Sequence, residues 1–156
     1  MSEFLKVENP FIETLFDEFF AVKEKQNSIQ YKFTGTNEQR FVLLIDKVLN
    51  DNEMNLLNNI IQAGLKLNLE EMALLNMNQQ EEGASISNLI IGLKPLKIIV
   101  WGCNDWIKKE GWDIPLHQIA NVRSTKILKA DELISYENNK DLKLQLWNLG
   151  IKKMIG

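Results

Sequence analysis

The stretch Phe41-Val-Leu-Leu-Ile45 is an uninterrupted apolar run with the length of one strand. A strand with one face in solvent alternates apolar and polar residues, so an unbroken run is typical of a strand buried on both faces of a parallel sheet. A similar run, Leu96–Trp101, is entered through Pro95. These two stretches predict buried strands of one parallel sheet.

Helices and further strands are predicted on either side of these runs. In chain order they are a helix over 52–64 with Gly64 as its C-cap, a strand over 72–77, a short helix over 85–93, a strand over 119–128 interrupted near 121–124, a short helical turn capped by Asp131, and an amphipathic helix over 141–154. Strands that alternate with helices predict an α/β fold with three α/β/α layers and a mostly parallel central sheet.

Size and composition restrict the class of protein. The chain has 156 residues, a formal net charge of -3 and a single cysteine, Cys103. One cysteine excludes an internal disulfide, a thiolate zinc cluster and an iron–sulfur cluster within the chain. The small negative charge does not favour attraction of the whole surface to nucleic acid or membranes. We therefore expect a cytoplasmic protein that needs no cofactor.

The first residues differ in character from the rest of the chain. Asn9-Pro10 has the pattern of a helix start, and Phe11, Phe16, Phe19 and Phe20 follow at helical spacing. We divide the chain into a helical segment over 1–26 and a single α/β domain over 27–156, with a polar tether or edge element near 24–39. The Phe-rich segment has two interpretations: it folds back on the domain, or it anchors the chain in a partner's groove.

Few residues suggest catalysis. Asp46 follows the first strand, where open α/β sheets place ligands, but the loop from Asp46 to Asp51 has no glycine to cradle a phosphate. His117 is the only histidine, and a catalytic dyad would need a nucleophile beside it. Cys103 fills that role only if the fold brings the two together. We predict instead a structural histidine and a buried, inert cysteine.

The segment Trp101-Gly-Cys-Asn-Asp-Trp106 follows the third predicted strand and is rich in aromatic and polar groups. Trp101 and Trp106 form either a stacking surface for bases or padding for the core around a turn. Asn104 and the distant Arg123 are further weak candidates for contact with a ligand or a phosphate. Dispersed cations in an acidic chain are a poor nucleic-acid footprint.

Two stretches carry a resemblance to a known family. Leu56–Asn76 resembles the helix–loop–strand unit of the uracil-DNA glycosylase superfamily, and Ala130–Trp147 is similar to that superfamily's last motif and helix. The resemblance covers roughly residues 40 to 155 and implies the same type of α/β/α fold. The water-activating loop of those enzymes is rich in Gly and contains Pro, whereas Asp46–Asp51 has neither. Where they have a His-Pro-Ser-type motif, this chain has Lys129-Ala130-Asp131.

The same two stretches are similar to the psi subunits of bacterial DNA polymerase III, which have this type of fold without the chemistry. That resemblance implies a non-catalytic adaptor in DNA replication, in which residues 9–22 engage the clamp loader and the domain binds a second accessory subunit. Two alternatives stay open. A divergent glycosylase-like enzyme predicts a pocket that gathers Asp46, Asn104 or Asp105, and Asp131. A non-catalytic nucleic-acid binder would use Trp101, Trp106 and Arg123.

Overall fold

The computed structural model describes residues 29–155 of the chain. The strands are β1 (Phe41–Ile45), β2 (Ala73–Asn76), β3 (Lys97–Trp101), β4 (Ile119–Val122) and β5 (Thr125–Ala130). The α-helices are α1 (Asp51–Ile60), α2 (Ile86–Leu93), α3 (Asn104–Lys109), α4 (Lys140–Gln145) and α5 (Lys152–Ile155). The π-helical segments Ile61–Leu65 and Leu146–Ile151 extend α1 and join α4 to α5, and short 3₁₀ turns cover Leu69–Glu71, Met77–Gln79 and Leu133–Tyr136. The predicted segment over 1–26 lies outside the described residues.

The five strands form one sheet in the order β2-β1-β3-β5-β4. Strands β1, β2, β3 and β5 are parallel, and β4 is antiparallel to β5. The predicted α/β class with a mostly parallel sheet is therefore confirmed. β1 and β3 are neighbours inside the sheet, and both are buried as their unbroken apolar runs predict.

The predicted single strand over 119–128 is wrong. The chain reverses at Arg123-Ser124, so β4 and β5 form a hairpin in which Val122 faces Thr125. The polar residues between Asn121 and Ser124 fit either an interruption or a turn, because periodicity along one strand contains no information on pairing. The hairpin places β4 at the edge of the sheet and Arg123 at its tip.

Helices cover both faces of the sheet, because alternate strand residues point in opposite directions. On one face, Leu43 and Ile99 pack with side chains of α1 and the C-terminal helices, among them Leu57, Ile61, Leu146, Ile151 and Met154. On the other face, Leu44 and Ile98 pack with side chains of α2 and α3, among them Ile86, Leu89, Ile90 and Ile107. Full burial of one such side chain stabilises the fold by about 1.5–3 kcal/mol.

Polar side chains fix where the helices begin. Asn50 and Glu53 form a reciprocal capping box at the start of α1, with Asn50 Oδ1 accepting from the Glu53 N–H at 2.8 Å. Lys47 Nζ lies 2.6 Å from Glu53 Oε2. The side chains of Ser85 and Asn139 each accept one backbone N–H at the starts of α2 and α4, from Asn88 and Leu142. The loop after β1 is thereby tied to the first turn of α1.

Two predicted caps are wrong. Gly64 does not end its helix, since the helical backbone continues to Leu65 and the left-handed residue is Lys66, with φ of 57°. A Cβ at Gly64 would lie at an ordinary contact distance, 3.6 Å, from the side chains of Ile151 and Trp147. The turn over Leu133–Tyr136 has no side-chain cap. Asp131 Oδ1 accepts from the Glu132 N–H at 2.7 Å, one residue too early to cap that turn.

The residues before β1 run along the free edge of β2, as predicted for an edge element. Thr34 makes one antiparallel bridge with Leu74. Tyr31 differs from the prediction because it is buried, and its hydroxyl donates to the Ser85 carbonyl at 2.9 Å. None of the helices within residues 29–155 has the length and apolar character needed to cross a membrane.

Candidate functional site

The candidate site lies where the connections of the sheet diverge. From β1 the chain continues to β2 on one side, and from β3 it continues to the β4–β5 hairpin on the other. In open α/β sheets, ligands bind at such a switch point, outside the carboxyl ends of the central strands. Asp46 directly follows β1, and Gly102 directly follows β3. The topology therefore brings the two predicted loops together.

A cleft of about 460 Å³ opens at this edge, and we call it the carboxyl-end cleft. Its lining residues are Asp46, Asn78, Asp105, Trp106, Lys108 and Lys109. Two carboxylates and two ammonium groups balance each other in formal charge. The volume is within the usual range for small-molecule sites, about 300–1,000 Å³.

Asn78 organises one side of the carboxyl-end cleft. Its side-chain amide donates to the backbone carbonyl of Asp46, and its Oδ1 accepts from Trp106 Nε1 at 2.9 Å. Lys109 Nζ lies 4.4 Å from the Trp106 ring centroid, a cation–π distance. Trp106 is thus held by its indole edge, and an ammonium group covers its ring. Sequence reasoning missed Asn78, although its place directly after β2 was an available signal.

Only some of the carboxylates required by the enzyme hypothesis line one cleft. Asp46 and Asp105 both line the carboxyl-end cleft, whereas Asp131 is not among its lining residues. The backbone N–H of Asp131 donates to the Tyr136 hydroxyl at 2.8 Å. Asn104 is exposed, and its Oδ1 accepts from Lys129 Nζ. The cleft thus contains one carboxylate that follows β1 and a second in the first turn of α3.

His117 is part of the interior. It is 1% exposed, and its Nε2 lies 2.8 Å from the Tyr136 hydroxyl. Burial lowers the pKa of His117, while the charge of Asp131 and the side chain of Gln145 act in the opposite direction. Burial also raises the pKa of Tyr136. The imidazole and the phenol are therefore joined by a buried structural hydrogen bond between Nε2 and the hydroxyl.

Cys103 is buried on the other face of the sheet, packed with the cluster around Leu44 and Ile98. Burial raises the pKa of its thiol, and the nearby negative charge of Asp46 raises it further. The thiolate is the nucleophilic form, so this environment opposes reaction. The Tyr136 partner of His117 packs on the opposite face. The predicted burial of Cys103 is confirmed, and the fold does not join this residue to His117.

The predicted stacking surface is not assembled. Trp101 is 2% exposed and packs edge-to-face against Tyr136, with ring centroids 6.0 Å apart. Only Trp106 is accessible at the carboxyl-end cleft, where it is half-buried. Arg123 lies at the tip of the β4–β5 hairpin, at the amino end of β5. It is therefore at the opposite end of the sheet from Trp106. The partner-binding candidates Phe11, Phe16, Phe19 and Phe20 lie outside the described residues.

Comparison with protein-family models finds no match to this chain, and comparison with curated proteins finds none either. The functional argument therefore depends on the residues and their geometry, together with the resemblance of Leu56–Asn76 and Ala130–Trp147 described above.

Proposed function

We propose that this chain is a non-catalytic protein-interaction subunit that resembles the psi subunits of bacterial DNA polymerase III. In this role it is an adaptor in DNA replication. The segment with Phe11, Phe16, Phe19 and Phe20 binds the clamp loader, and the domain binds a second accessory subunit. We further propose that the α/β/α domain has the uracil-DNA glycosylase-like architecture.

One observation supports a non-catalytic role most strongly. The two residues best suited to nucleophilic or acid–base chemistry, Cys103 and His117, are both built into the interior. They pack on opposite faces of the sheet, so neither can activate the other. Burial lowers the pKa of His117 and raises that of Cys103, which favours the neutral form of each. These side chains contribute to packing rather than to chemistry at the carboxyl-end cleft.

The charge balance of the carboxyl-end cleft also supports the adaptor. Lys108 and Lys109 line the same opening as Asp46 and Asp105. Base excision requires a flipped base that is held and polarised in a formed pocket. Here the Trp106 indole N–H is hydrogen-bonded to the Asn78 side chain, and the ammonium group of Lys109 covers the Trp106 ring. These groups stabilise the loops after β1, β2 and β3.

The test is affinity purification from the native source with the full-length chain and two variants. The first variant is Phe16→Ala/Phe19→Ala/Phe20→Ala, which removes the proposed anchor. The control is Lys23→Ala/Lys25→Ala/Gln26→Ala, which changes polar residues just after it. We expect clamp-loader subunits with the wild type and the control but not with the first variant. Absence of replication proteins from the wild-type sample would reject the adaptor.

A divergent glycosylase-like enzyme is the second candidate, favoured by the position of Asp46 at the switch point and by the volume of the cleft. In this role Asp46 is the general base that activates water. The assay incubates the full chain with uracil-containing single- and double-stranded DNA and detects abasic sites. Activity that is lost in Asp46→Asn supports the enzyme. Equal background with the wild type and Asp46→Asn removes it.

A further inference from the structure

A second cleft, of about 330 Å³, opens at the amino ends of β1, β3 and β5, and we call it the amino-end cleft. Its lining residues are Arg40, Ile90, Ile91, Lys94, Pro95, Leu96, Arg123, Ser124 and Thr125. They come from the residue before β1, the end of α2 and the β4–β5 turn. The amino-end cleft is therefore at the opposite end of the sheet from the carboxyl-end cleft.

The amino-end cleft is both cationic and apolar. Arg40, Lys94 and Arg123 supply three positive charges, and no carboxylate is among the lining residues. Within residues 29–155, no carboxylate oxygen lies within 4.0 Å of these three cations. Ile91 and Leu96 are large apolar side chains that are 37% and 48% exposed. A chain of net charge -3 thus presents a concave surface suited to an acidic and apolar ligand.

The backbone holds the three cations in an unfavourable conformation. The φ angles are 51° at Arg40, 50° at Lys94 and 56° at Arg123, all in the left-handed region that favours Gly or Asn. Arg40 is also fixed by its guanidinium, which donates to the Lys94 carbonyl through Nε at 3.1 Å and through Nη2. Lys94 has this conformation as the C-cap of α2 and Arg123 has it in the β4–β5 turn, so the backbone fixes where these cations lie.

The sequence contains a segment with the complementary chemistry. Residues 8–20, Glu-Asn-Pro-Phe-Ile-Glu-Thr-Leu-Phe-Asp-Glu-Phe-Phe, include four carboxylates and four phenylalanines. No lysine or arginine occurs between residues 7 and 22. We infer that this acidic Phe-rich segment docks in the amino-end cleft of its own chain. Its carboxylates face Arg40, Lys94 and Arg123, and its aromatic rings cover Ile91 and Leu96.

The length of chain permits this docking. Eight residues, 21–28, separate the segment from Ile29 and reach at most about 29 Å when extended. Ile29 lies beside Gly83, since a Cβ on Gly83 would be 3.4 Å from Ile29 Cδ1. α2 begins at Ile86, three residues after Gly83, and leads to Lys94. Its length of eight residues corresponds to about 12 Å, so the cleft is within reach.

Docking would also affect binding of the partner, and this effect depends on the proposed adaptor function. The aromatic side chains that would bind the clamp loader are the same ones that occupy the amino-end cleft, so the two sites compete for one segment. Docking shields those side chains in the free protein, and a partner must displace them. The docking itself is a property of the isolated chain. Its test needs no partner, so it can fail while the adaptor stands.

The test is zero-length carbodiimide cross-linking of the full-length chain at low ionic strength, with mass-spectrometric mapping of the products. The reagent joins a lysine amine to a carboxylate that is in contact with it. We expect the carboxylates of residues 8–20 to join Lys94 within monomers. Lys66 is the matched control, because it is also an exposed lysine with left-handed φ at a helix end. We expect at least a tenfold lower yield at Lys66, and loss of the Lys94 product at 1 M salt.

Three results would overturn the inference. One is cross-linking to Lys66 as often as to Lys94, which indicates random encounter. Another is cross-linking mainly to Lys32, which lines a separate apolar groove with Phe33, Val48 and Met54. The last is Lys94 products found only between isotopically distinct copies in a mixed sample, which assigns the cleft to a second copy of the chain.

A charge-removal pair checks the cleft without depending on cross-linking. Lys94→Asn/Arg123→Asn removes two charges at positions whose backbone suits Asn, so we expect the fold to be retained. Lys66→Asn makes the same change outside the cleft. We expect limited proteolysis to cut residues 8–20 at least fivefold faster in the double variant than in the wild type or Lys66→Asn. Equal rates in all three chains would contradict docking.

Discussion

His117 adopts a left-handed backbone conformation, with φ of 62°, and its side chain is buried against Tyr136. Both features cost free energy, and the hydrogen bond to the Tyr136 hydroxyl offsets part of that cost. The Tyr136 oxygen also accepts from the Asp131 N–H at 2.8 Å. The imidazole therefore stabilises the segment that follows β5, and protonation of the imidazole changes the stability of the fold.

The lowered pKa of His117 predicts that the folded protein is less stable in mild acid. This pKa is lowered in the folded state from an ordinary value of 6.5, so below pH 6.5 the unfolded chain binds the proton more tightly. The free energy of unfolding then falls with decreasing pH, by up to about 1.4 kcal/mol per pH unit, until the folded imidazole is itself protonated. Urea unfolding of the wild type between pH 7.5 and pH 5 measures this slope.

The control for that slope is His117→Asn, which suits the left-handed backbone and does not titrate. We expect the variant to be less stable at pH 7.5 by about 1–3 kcal/mol, because the buried Tyr136 hydroxyl loses one of its two hydrogen-bond partners. Between pH 7.5 and pH 5 its stability should change less than that of the wild type. Parallel slopes for the two proteins would show that His117 is not the titrating group.

At the scale of elements, the start of α1 depends on a short polar network. Asn50 and Glu53 cap each other, and Lys47 is hydrogen-bonded to Glu53. This interaction with Lys47 is the main reason that the pKa of Glu53 is lowered from 4.5, and the bond to the Asn50 backbone adds to it. The ionised form of Glu53 thus stabilises the fold at neutral pH.

Glu53→Gln keeps a side-chain acceptor for the Asn50 N–H but removes the charge. We expect the variant to be less stable than the wild type at pH 7. The difference should shrink as the pH falls below about 4.5, because a lowered folded pKa contributes stability that acid removes. Asn50→Ala is the companion variant and should cost about 1 kcal/mol at pH 7. A constant difference down to pH 3 would contradict the role of the Glu53 charge.

The two π-helical segments each contain a glycine, and we expect substitution of alanine to have opposite effects on stability at these two positions. At Gly150 a Cβ would lie 2.7 Å from Cδ1 of Leu128, which is fully buried, so Gly150→Ala should cost about 1–3 kcal/mol. At Gly64 the nearest atoms lie at an ordinary 3.6 Å, so Gly64→Ala should stabilise the helix by about 0.5–1 kcal/mol. Thermal unfolding compares the two, and equal shifts would contradict this packing.

The elements also show what the sequence can and cannot predict. β1 and β3 were predictable because burial on both faces leaves an unbroken apolar run. The β4–β5 hairpin was not, because a strand break and a turn have the same local composition. Gly64 was misassigned because a glycine near a helix end does not by itself mark the left-handed residue, which here is Lys66.

The same limit applies to the sites. Asp46 was predictable from its place after β1, whereas the bond from Asn78 to Trp106 joins residues that no local pattern connects. The amino-end cleft was not foreseen, because Arg40, Lys94 and Arg123 belong to three separate connections of the chain. Only the sheet topology places these three residues together.

At the scale of the whole molecule, the two ends of the sheet differ in character. The carboxyl-end cleft contains balanced charges and an anchored tryptophan, whereas the amino-end cleft contains three cations beside exposed apolar side chains. The proposed adaptor uses the Phe-rich segment for a partner, and the amino-end cleft holds that segment in the free chain. Variants that weaken the cleft should therefore bind the partner more tightly, while variants of the segment should bind it less tightly.

The most direct test of the adaptor is the affinity of the purified full-length chain for the purified clamp loader of its source, measured by calorimetry. We predict binding by the wild type and at least a hundredfold loss for Phe16→Ala/Phe19→Ala/Phe20→Ala, since aromatic anchors contribute about 2 kcal/mol or more each. The control Lys23→Ala/Lys25→Ala/Gln26→Ala should bind like the wild type. No binding by the wild type, or equal binding by all three chains, would contradict the proposed function.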